Sequence, residues 1–578
     1  MAFKKKETFY YPGQEIPHTA LDKYRCLDGA TMVALQKARS RITLIMVVLS
    51  ICFVVILCRL FQLTIVNYQS RQFVPSVLKA DFELKRKNIV DRNGILLATS
   101  LPTVDLSINP SMVKNPSEVA RRLSETLPDV SYETILRRID QGGSFRYIKR
   151  NLTPAERSKV NWLGYHFLTE TPGEKRVYPQ RNLFSHLIGS VDIDNNGVAG
   201  LEKSYNTALG KDDLKLSVDM AVQEMARTSL EKGIEKFGAK GGAAVVMDVR
   251  NAEILAMVSL PDYTPNLSLK LTKEQQFNKA SLGVYEFGSV FKLFNTALAL
   301  ENKDISVWDT FDASEPIKIG RKKIEDYRGQ NRPLMVPEIL MHSSNIGTVL
   351  IAQKSGYKKQ RDFLKSLGFY QALPVALPER GGVLVPRQNK WADITSANVA
   401  FGYGISVSPL HLVSGVAAMA NGGYYRVPTF IKGGNQGKPE FQVISKDTSD
   451  KMRHMMWAVV NWDMSDKNPV AKYAVGGKTG SANLIENGKY VKGSLRTTFV
   501  GVFPMNAPKY IVMVVLEDPK RIKETWNFNT AGWNAKPIGL EIIAQIAPHL
   551  GVKPVEDYTP PKYVQRAIEI SKEHKKKH

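Results

Sequence analysis

Gly288-Ser289-Val290-Phe291-Lys292-Leu293-Phe294-Asn295-Thr296-Ala297-Leu298-Ala299-Leu300 is the stretch on which the reading of this chain turns. After Ser289 it is apolar almost all round, the pattern of a helix enclosed by protein rather than one lying on a surface. Ser289 then falls in the first turn, where free backbone N–H groups and the positive helix end favour negative charge. Lys292, three residues on, shares its face. A lysine in a buried cleft near a second cation gives up its proton readily. Lys292 is therefore expected to be a neutral amine that takes the hydroxyl proton of Ser289. Alone, Ser-x-x-Lys is far more often an ordinary helical pair, and it recurs at Ser76/Lys79, Ser111/Lys114, Ser229/Lys232 and Ser355/Lys358. The burial pattern after Ser289 sets this copy apart.

Two more strings follow in order. Ser343-Ser344-Asn345 comes after the helical run Pro337-Glu338-Ile339-Leu340-Met341. Ser343 is placed to relay a proton between Lys292 and a leaving amine, and Asn345 to hold a substrate amide. Gly476-Gly477-Lys478-Thr479-Gly480-Ser481 puts a cation and a hydroxyl among glycines. Glycines allow a second backbone to approach a strand closely, so an extended peptide can add to this edge. Lys478 and Thr479 would grip its terminal carboxylate by charge-assisted bonds, with Gly480 and Ser481 completing the substrate-binding strip. The backbone N–H groups of Ser289 and Ser481 are the expected oxyanion hole. Separately these strings read as a cap or a Gly-rich turn. In order they describe a serine acyl-transferase acting on a peptide with a free C-terminus.

The chain has 578 residues, 43% hydrophobic and 23% charged, enough for several domains and a large core. Its three cysteines, Cys26, Cys52 and Cys58, all lie near the start, so the bulk folds without disulfides. The nine histidines are scattered without metal-ligand spacing, and neither a metal nor a cofactor is expected. A net charge of +24 suits a solvated basic surface, or attraction to an anionic polymer or membrane. Membrane topology argues against nucleic acid. Ile42 to Leu57 carries no charge, and the apolar run reaches Phe61 with Arg59 near its end. A helix of that length covers roughly 30 Å, the hydrocarbon thickness of a bilayer. No small-x-small site follows it for signal cleavage. Lys37, Arg39 and Arg41 on the N-terminal flank keep that side in the cytoplasm and export the rest.

The expected layout is a cytoplasmic tail over 1–41, a transmembrane helix over 42–62, a non-catalytic pedestal over 63–213, a catalytic domain over 214–555 and a basic tail over 556–578. In the pedestal, Ile89-Val90-Asp91-Arg92-Asn93-Gly94-Ile95-Leu96-Leu97 reads strand, turn, strand. Pro116 to Leu152 is largely at helical spacing. Arg176 to Pro179 and Gly197 to Glu202 read as loops and caps. Ser217 is the expected cap of a helix running toward Lys236. Ala243 to Asp248 with Glu253 to Val258, and Thr497 to Phe503 with Tyr510 to Leu516, are buried strands. The stretch between the two strand groups is mainly helical, giving an α/β domain with an antiparallel sheet and a helical insertion. Lys572 to His578 is expected to be a solvated tail without a role.

With these strings in place, the chain resembles the class B penicillin-binding proteins, most of all the division-specific FtsI type, from the membrane span to roughly residue 550. Tyr285-Glu286-Phe287-Gly288-Ser289, Asp91-Arg92-Asn93-Gly94, Tyr178-Pro179, Leu377-Pro378-Glu379 and Phe401-Gly402-Tyr403-Gly404 are further family-like strings. Phe287 departs from the pattern, standing where the family often has proline. The resemblance implies the penicillin-binding transpeptidase fold, an antiparallel sheet with a helical subdomain, preceded by one membrane helix and an elongated α+β pedestal resembling a dimerisation module. It implies that Ser289 attacks the D-Ala-D-Ala bond of a peptidoglycan stem peptide, that a neighbouring stem's amine takes the acyl group, and that β-lactams acylate the same serine. Carboxypeptidase-type hydrolysis is the implied side reaction. No glycosyltransferase module fits before residue 213, so an FtsW-type glycan polymerase and other division proteins are the implied partners. Septal action rests on Ser185 to Gly189 and Ser343 to Gly347.

Four alternatives are weighed. An elongation-type enzyme of the lateral wall shares the strings. A β-lactamase needs a deacylating base, for which Glu379 has a tempting spacing, but the length and anchor do not suit it. A β-lactam sensor needs several spans and a cytoplasmic effector. A catalytically idle division scaffold does not need all three strings intact.

Overall fold

The structure is a computed structural model describing residues 29–61, 84–265, 271–320, 322–387, 391–437, 440–464, 470–486, 488–555 and 558–577. Residues 1–28 of the expected cytoplasmic tail, 62–83 at the start of the expected pedestal, and 556, 557 and 578 of the expected C-terminal tail lie outside the described residues. The chain divides into two units, Met1–Phe82 and Glu83–His578. In the first, a helix runs over Gly29–Phe61. Its section Lys37–Leu60 has mean hydropathy 2.8, no buried residue, and length enough to cross a membrane.

The second unit opens with the expected hairpin. Strand Ile89–Val90 pairs antiparallel with Leu96–Ile108, and Asp91 Oδ1 accepts from the N–H groups of Asn93 and Ile95, 2.8 Å each. Gly94 takes the left-handed φ of +90° that this turn requires. The long strand also pairs with Arg146–Leu152 and Leu168–Val177. Helices Pro116–Thr126 and Tyr132–Asp140 share a small core with these strands, formed by Leu106, Leu123, Ile135 and Ile148. Helical spacing thus ends at Asp140. Arg146–Leu152 is strand, as are Arg176 and Val177, because cross-strand pairing outweighs local propensity.

The larger part is a five-stranded sheet in the order Gly476–Glu486, Lys489–Phe503, Tyr510–Glu517, Gly241–Asp248, Ile254–Leu260. Every neighbouring pair is antiparallel. Side chains alternate between faces. Val500, Val502, Ile511 and Met513 join one core with Phe291, Phe294 and Val413. Phe499, Phe503, Val512 and Val514 join another with Val222, Leu230 and Ile543. Both faces are covered, which explains the unbroken apolar runs in these strands. Helix Met220–Phe237 is capped by Asp219, whose Oδ1 accepts from Ala221 and Val222 N–H, and not by Ser217. The Ser217 hydroxyl donates instead to the Ile254 carbonyl, 2.8 Å away.

The C-terminal segment also differs from expectation. Lys562–Lys577 is a helix with Tyr563, Val564, Ala567 and Ser571 buried. Val564, Ala567 and Ser571 fall on one stripe at helical spacing, which the surrounding lysines hid in the sequence.

Candidate active site

The nucleophile stretch forms a short 3-10 turn, Gly288–Phe291, leading into helix Lys292–Glu301. Every residue from Lys292 to Leu300 is buried, as the all-round apolar pattern anticipated. Ser289 is half-buried and lines a cleft of about 510 Å³ with Ser343, Asn345, Thr479, Gly480 and Ser481. All three strings therefore meet at one place. The third lies on Gly476–Glu486, the edge strand of the sheet, the position an added peptide strand needs. Gly480 has a reason of its own: a Cβ there would stand 2.2 Å from the Phe287 carbonyl oxygen, so only glycine lets the edge strand abut the nucleophile turn. Gly288, at φ +52°, is constrained likewise by Ser481. Phe287 is buried with its ring edge-on to Tyr285 at 6.1 Å and does not line the cleft.

The two lysines converge on Ser343. Lys292 Nζ donates to the Ser343 carbonyl and to Asn345 Oδ1 at 2.8 Å, and stands 3.3 Å from Ser343 Oγ. Lys478 Nζ donates to Ser343 Oγ at 3.0 Å and to the Thr479 carbonyl at 3.1 Å. Burial pushes the Lys292 amine well below the ordinary lysine value, the neighbouring Lys478 charge pushes further, and Asp326 opposes both. Burial, helped by the charge of Lys536, brings Lys478 down to about 7. A neutral amine has two N–H groups. For Lys292 the Ser343 carbonyl and Asn345 Oδ1 take both, which leaves its lone pair to accept from a hydroxyl.

Several site residues had no motif to announce them. Asp326 accepts from Ser344 Oγ at 2.6 Å, from Ile346 N–H at 3.1 Å and from Asn345 N–H. It thereby fixes the start of helix Asn345–Ser355 and the Ser343-Ser344-Asn345 string with it. Tyr403, Phe528 and Trp533 also line the cleft, with the Arg328 guanidinium 4.5 Å over the Phe528 ring. Only Tyr403 sits in a string the sequence singled out. Glu286 accepts from Gly404 N–H at 2.7 Å and Tyr490 Oη at 3.0 Å, tying the approach to Ser289 to a remote loop and to the start of strand Lys489–Phe503. Glu379 does not line the cleft. Its carboxylate accepts from Gly200 N–H at 3.2 Å, and its carbonyl from the Ser281 hydroxyl at 2.5 Å. The residue whose spacing suggested a deacylating base thus joins the Gly200 and Ser281 segments outside the cleft.

Comparison with known proteins agrees with this geometry. Residues 242–543 match the penicillin binding protein transpeptidase domain, and residues 83–223 the penicillin-binding protein dimerisation domain. The chain belongs to the penicillin-binding protein transpeptidase family. It is 35% identical over 487 residues to the probable peptidoglycan D,D-transpeptidase FtsI of Caulobacter vibrioides, spanning 81% of this chain and 82% of that one. It is 30% identical over 521 residues to the probable peptidoglycan D,D-transpeptidase PenA of Neisseria gonorrhoeae, spanning 83% and 89%. Its fold matches the crystal structure of penicillin binding protein 3 from Mycobacterium tuberculosis, complexed with aztreonam, with a TM-score of 0.65 at 23% identity, covering 82% of this chain and 97% of that one. The enzyme is a serine-type peptidoglycan transpeptidase on a single-pass membrane protein, its catalytic body outside the cytoplasm.

Proposed function

We propose that this protein cross-links peptidoglycan stem peptides at the division septum through an acyl-enzyme on Ser289. One observation carries the reading: two buried lysines without a carboxylate partner among the described residues meet at Ser343, in the cleft that holds Ser289. A stem peptide lies along the edge strand with its D-Ala carboxylate on Lys478 and Thr479. Lys292 takes the Ser289 proton as Oγ bonds to the penultimate D-Ala carbonyl carbon. The N–H groups of Ser289 and Ser481 hold the oxyanion. Ser343 Oγ accepts from Lys478, so its own hydrogen is available to the leaving nitrogen, and Lys292 returns the proton. The terminal D-Ala departs as a neutral amine. A second stem's amine then attacks the ester and loses its proton to Lys292, which passes it to Ser289 Oγ as the ester bond breaks, restoring the free hydroxyl and the neutral amine. A β-lactam enters at the first step, its ring carbonyl replacing the peptide's.

The dispositions 1–41 cytoplasmic, 42–62 membrane, 63–213 pedestal and 214–555 catalytic accompany this reading. So does an FtsW-type polymerase as the source of glycan strands, met through the membrane helix and pedestal. The similarity to FtsI of Caulobacter vibrioides supports the septal assignment. Fluorescent penicillin is expected to label the wild type covalently and to leave Ser289→Ala unlabelled; equal labelling would end the proposal. A fluorescent fusion should concentrate at mid-cell in dividing cells, and even side-wall signal would favour the elongation role.

A further inference from the structure

We propose that the C-terminal helix Lys562–Lys577 is part of the active site's support, and that Ser571 is a positioning residue which, through His342, holds Ser343 ready for acylation. This helix lies outside the matched transpeptidase domain, residues 242–543. Its Ser571 is 1% exposed, 3.1 Å from Glu338 Oε1 and 2.9 Å from His342 Nε2. Glu338 is equally buried, and its carboxylate also accepts from Arg332 at 2.6 Å and Met335 N–H at 3.0 Å. An ionised carboxylate only accepts. The Ser571 hydrogen is therefore committed to Glu338, and its oxygen must accept from His342 Nε2–H. That fixes both the tautomer and the orientation of the His342 ring, which packs edge-on to Trp462 at 4.9 Å.

His342 lines the cleft and immediately precedes Ser343. Ser343 has φ +56°, the left-handed region that a non-glycine residue occupies only when its surroundings hold it there. Three holds are visible. The helix Val336–Met341 ends with Ser343 and Ser344 N–H groups on the Leu340 and Ile339 carbonyls, 3.3 and 2.9 Å. The two lysines fix the carbonyl and hydroxyl of Ser343. Ser571 fixes the residue before it.

The same contact keeps charge away from Ser343. Burial brings His342 down to about 4. The charged and titratable groups around it are Glu338 on its own helix, Arg332 ahead of that helix, Asp463 after helix Lys446–Asn461, and His574 on the C-terminal helix. Lys575, beside Asp463, lies over the Trp462 ring, 5.9 Å from its centroid. Loosening the helix admits water, and His342 then titrates near the ordinary histidine value of about 6.5. Its cation beside Ser343 opposes the proton that must arrive on Lys292.

The inference rests on acylation at Ser289, and the test separates the two. Full-length protein in detergent is acylated with fluorescent penicillin between pH 5.5 and 8, giving the penicillin Kd and the first-order acylation constant. Ser571→Ala is expected to lower the acylation constant about fivefold at pH 7.5 while Kd stays within about twofold. The variant-to-wild-type ratio should fall further as pH drops through about 6.5, and Ser571→Thr should restore it. Val564→Asp, which places a carboxylate in the helix's buried stripe, should give the same pH-dependent loss, larger in size. If Val564→Asp loses the body's melting transition, Ser571→Ala decides alone. Ser571→Ala acylating within about twofold of wild type at every pH, whatever Val564→Asp does, overturns the inference and leaves the Ser289 reading intact. A wild type that takes up no penicillin overturns both.

Discussion

Two regions of this molecule bury cations, and they resolve the problem in opposite ways. In the N-terminal module Arg86 and Arg176 flank Glu202, all three removed from water. Glu202 accepts from Arg86 Nε at 2.7 Å and Arg176 Nε at 2.8 Å. Arg86 also donates to Asn206 Oδ1 and the Asn195 carbonyl, 2.7 and 3.0 Å, and Arg176 to the Lys87 carbonyl, 2.7 Å. In the cleft, Lys292 and Lys478 are 0% and 1% exposed, and neither has a carboxylate within ion-pair distance among the described residues. A guanidinium does not lose its proton inside a protein, so it must be given a counter-ion. An amine can lose it, and becomes a base by doing so. The first cluster joins chain segments that are far apart in sequence. The second has no such counter-ion among the described residues, and on the proposed mechanism that omission is what frees Lys292 to act as a base.

The sharpest way to break this contrast is to remove the base. Lys292→Met should slow Ser289 acylation by about 10²–10⁴-fold, read as the rate of fluorescent penicillin uptake. Lys292→Arg should do no better, because a guanidinium cannot take the proton. The counterpart in the other cluster is Glu202→Gln. It leaves two buried guanidinium groups without their charge partner and should cost about 3–5 kcal/mol, measured as a lower denaturant midpoint. If it were neutral, the cluster would be no more than a surface ion pair in effect.

A smaller effect is a bell-shaped pH profile of the second-order acylation constant. It should fall on the acid side as Lys292 takes a proton, and on the alkaline side as Lys478, at about 7 in the free cleft, loses the charge that grips the carboxylate. Both limbs then sit below the ordinary lysine value of 10.5, and a profile still rising through pH 10 would refute the assignment. Lysine burial also has a stability sign. The folded state binds fewer protons than the unfolded chain between about 7 and 10.5. The destabilisation from Lys478 is thus fully present below about 7 and fades as pH rises toward 10.5. Lys478→Met should accordingly raise the unfolding midpoint at pH 6, by about 1 kcal/mol after its lost hydrogen bonds are counted, while it weakens penicillin binding. Glu202→Gln and Lys478→Met should therefore move stability in opposite directions.

Much of the fold was legible in single residues and short runs. The strands from Thr497 and Tyr510 announce themselves because both faces are covered and, after Thr497 and Thr498, their residues are apolar. The nucleophile helix does so for the same reason. The Asn93-Gly94 turn carries its own backbone requirement. Asp326, Phe528 and Trp533 were not legible, since each reaches the cleft from a remote loop and nothing nearby in sequence marks it. The helix at Lys562–Lys577 was misread because net charge was weighed above spacing. Val564, Ala567 and Ser571 already traced a stripe, but what they cover, Glu338 and His342, lies more than 200 positions earlier.

By itself the sequence determined the reactive groups: a hydroxyl with a lysine one turn on, a second hydroxyl with its amide, and a cation on a glycine-flanked strand. These are local facts, set by residue type and helical or strand period. Tertiary structure alone decided that Lys292 and Lys478 meet at Ser343 with no carboxylate in ion-pair distance among the described residues, that Glu379 is held against Gly200 and Ser281 and does not line the cleft, and that a C-terminal helix reaches His342 at the cleft wall. Those outcomes depend on burial and on long-range neighbours, and the ionisation state of an amine is a property of its surroundings rather than of the residue that carries it.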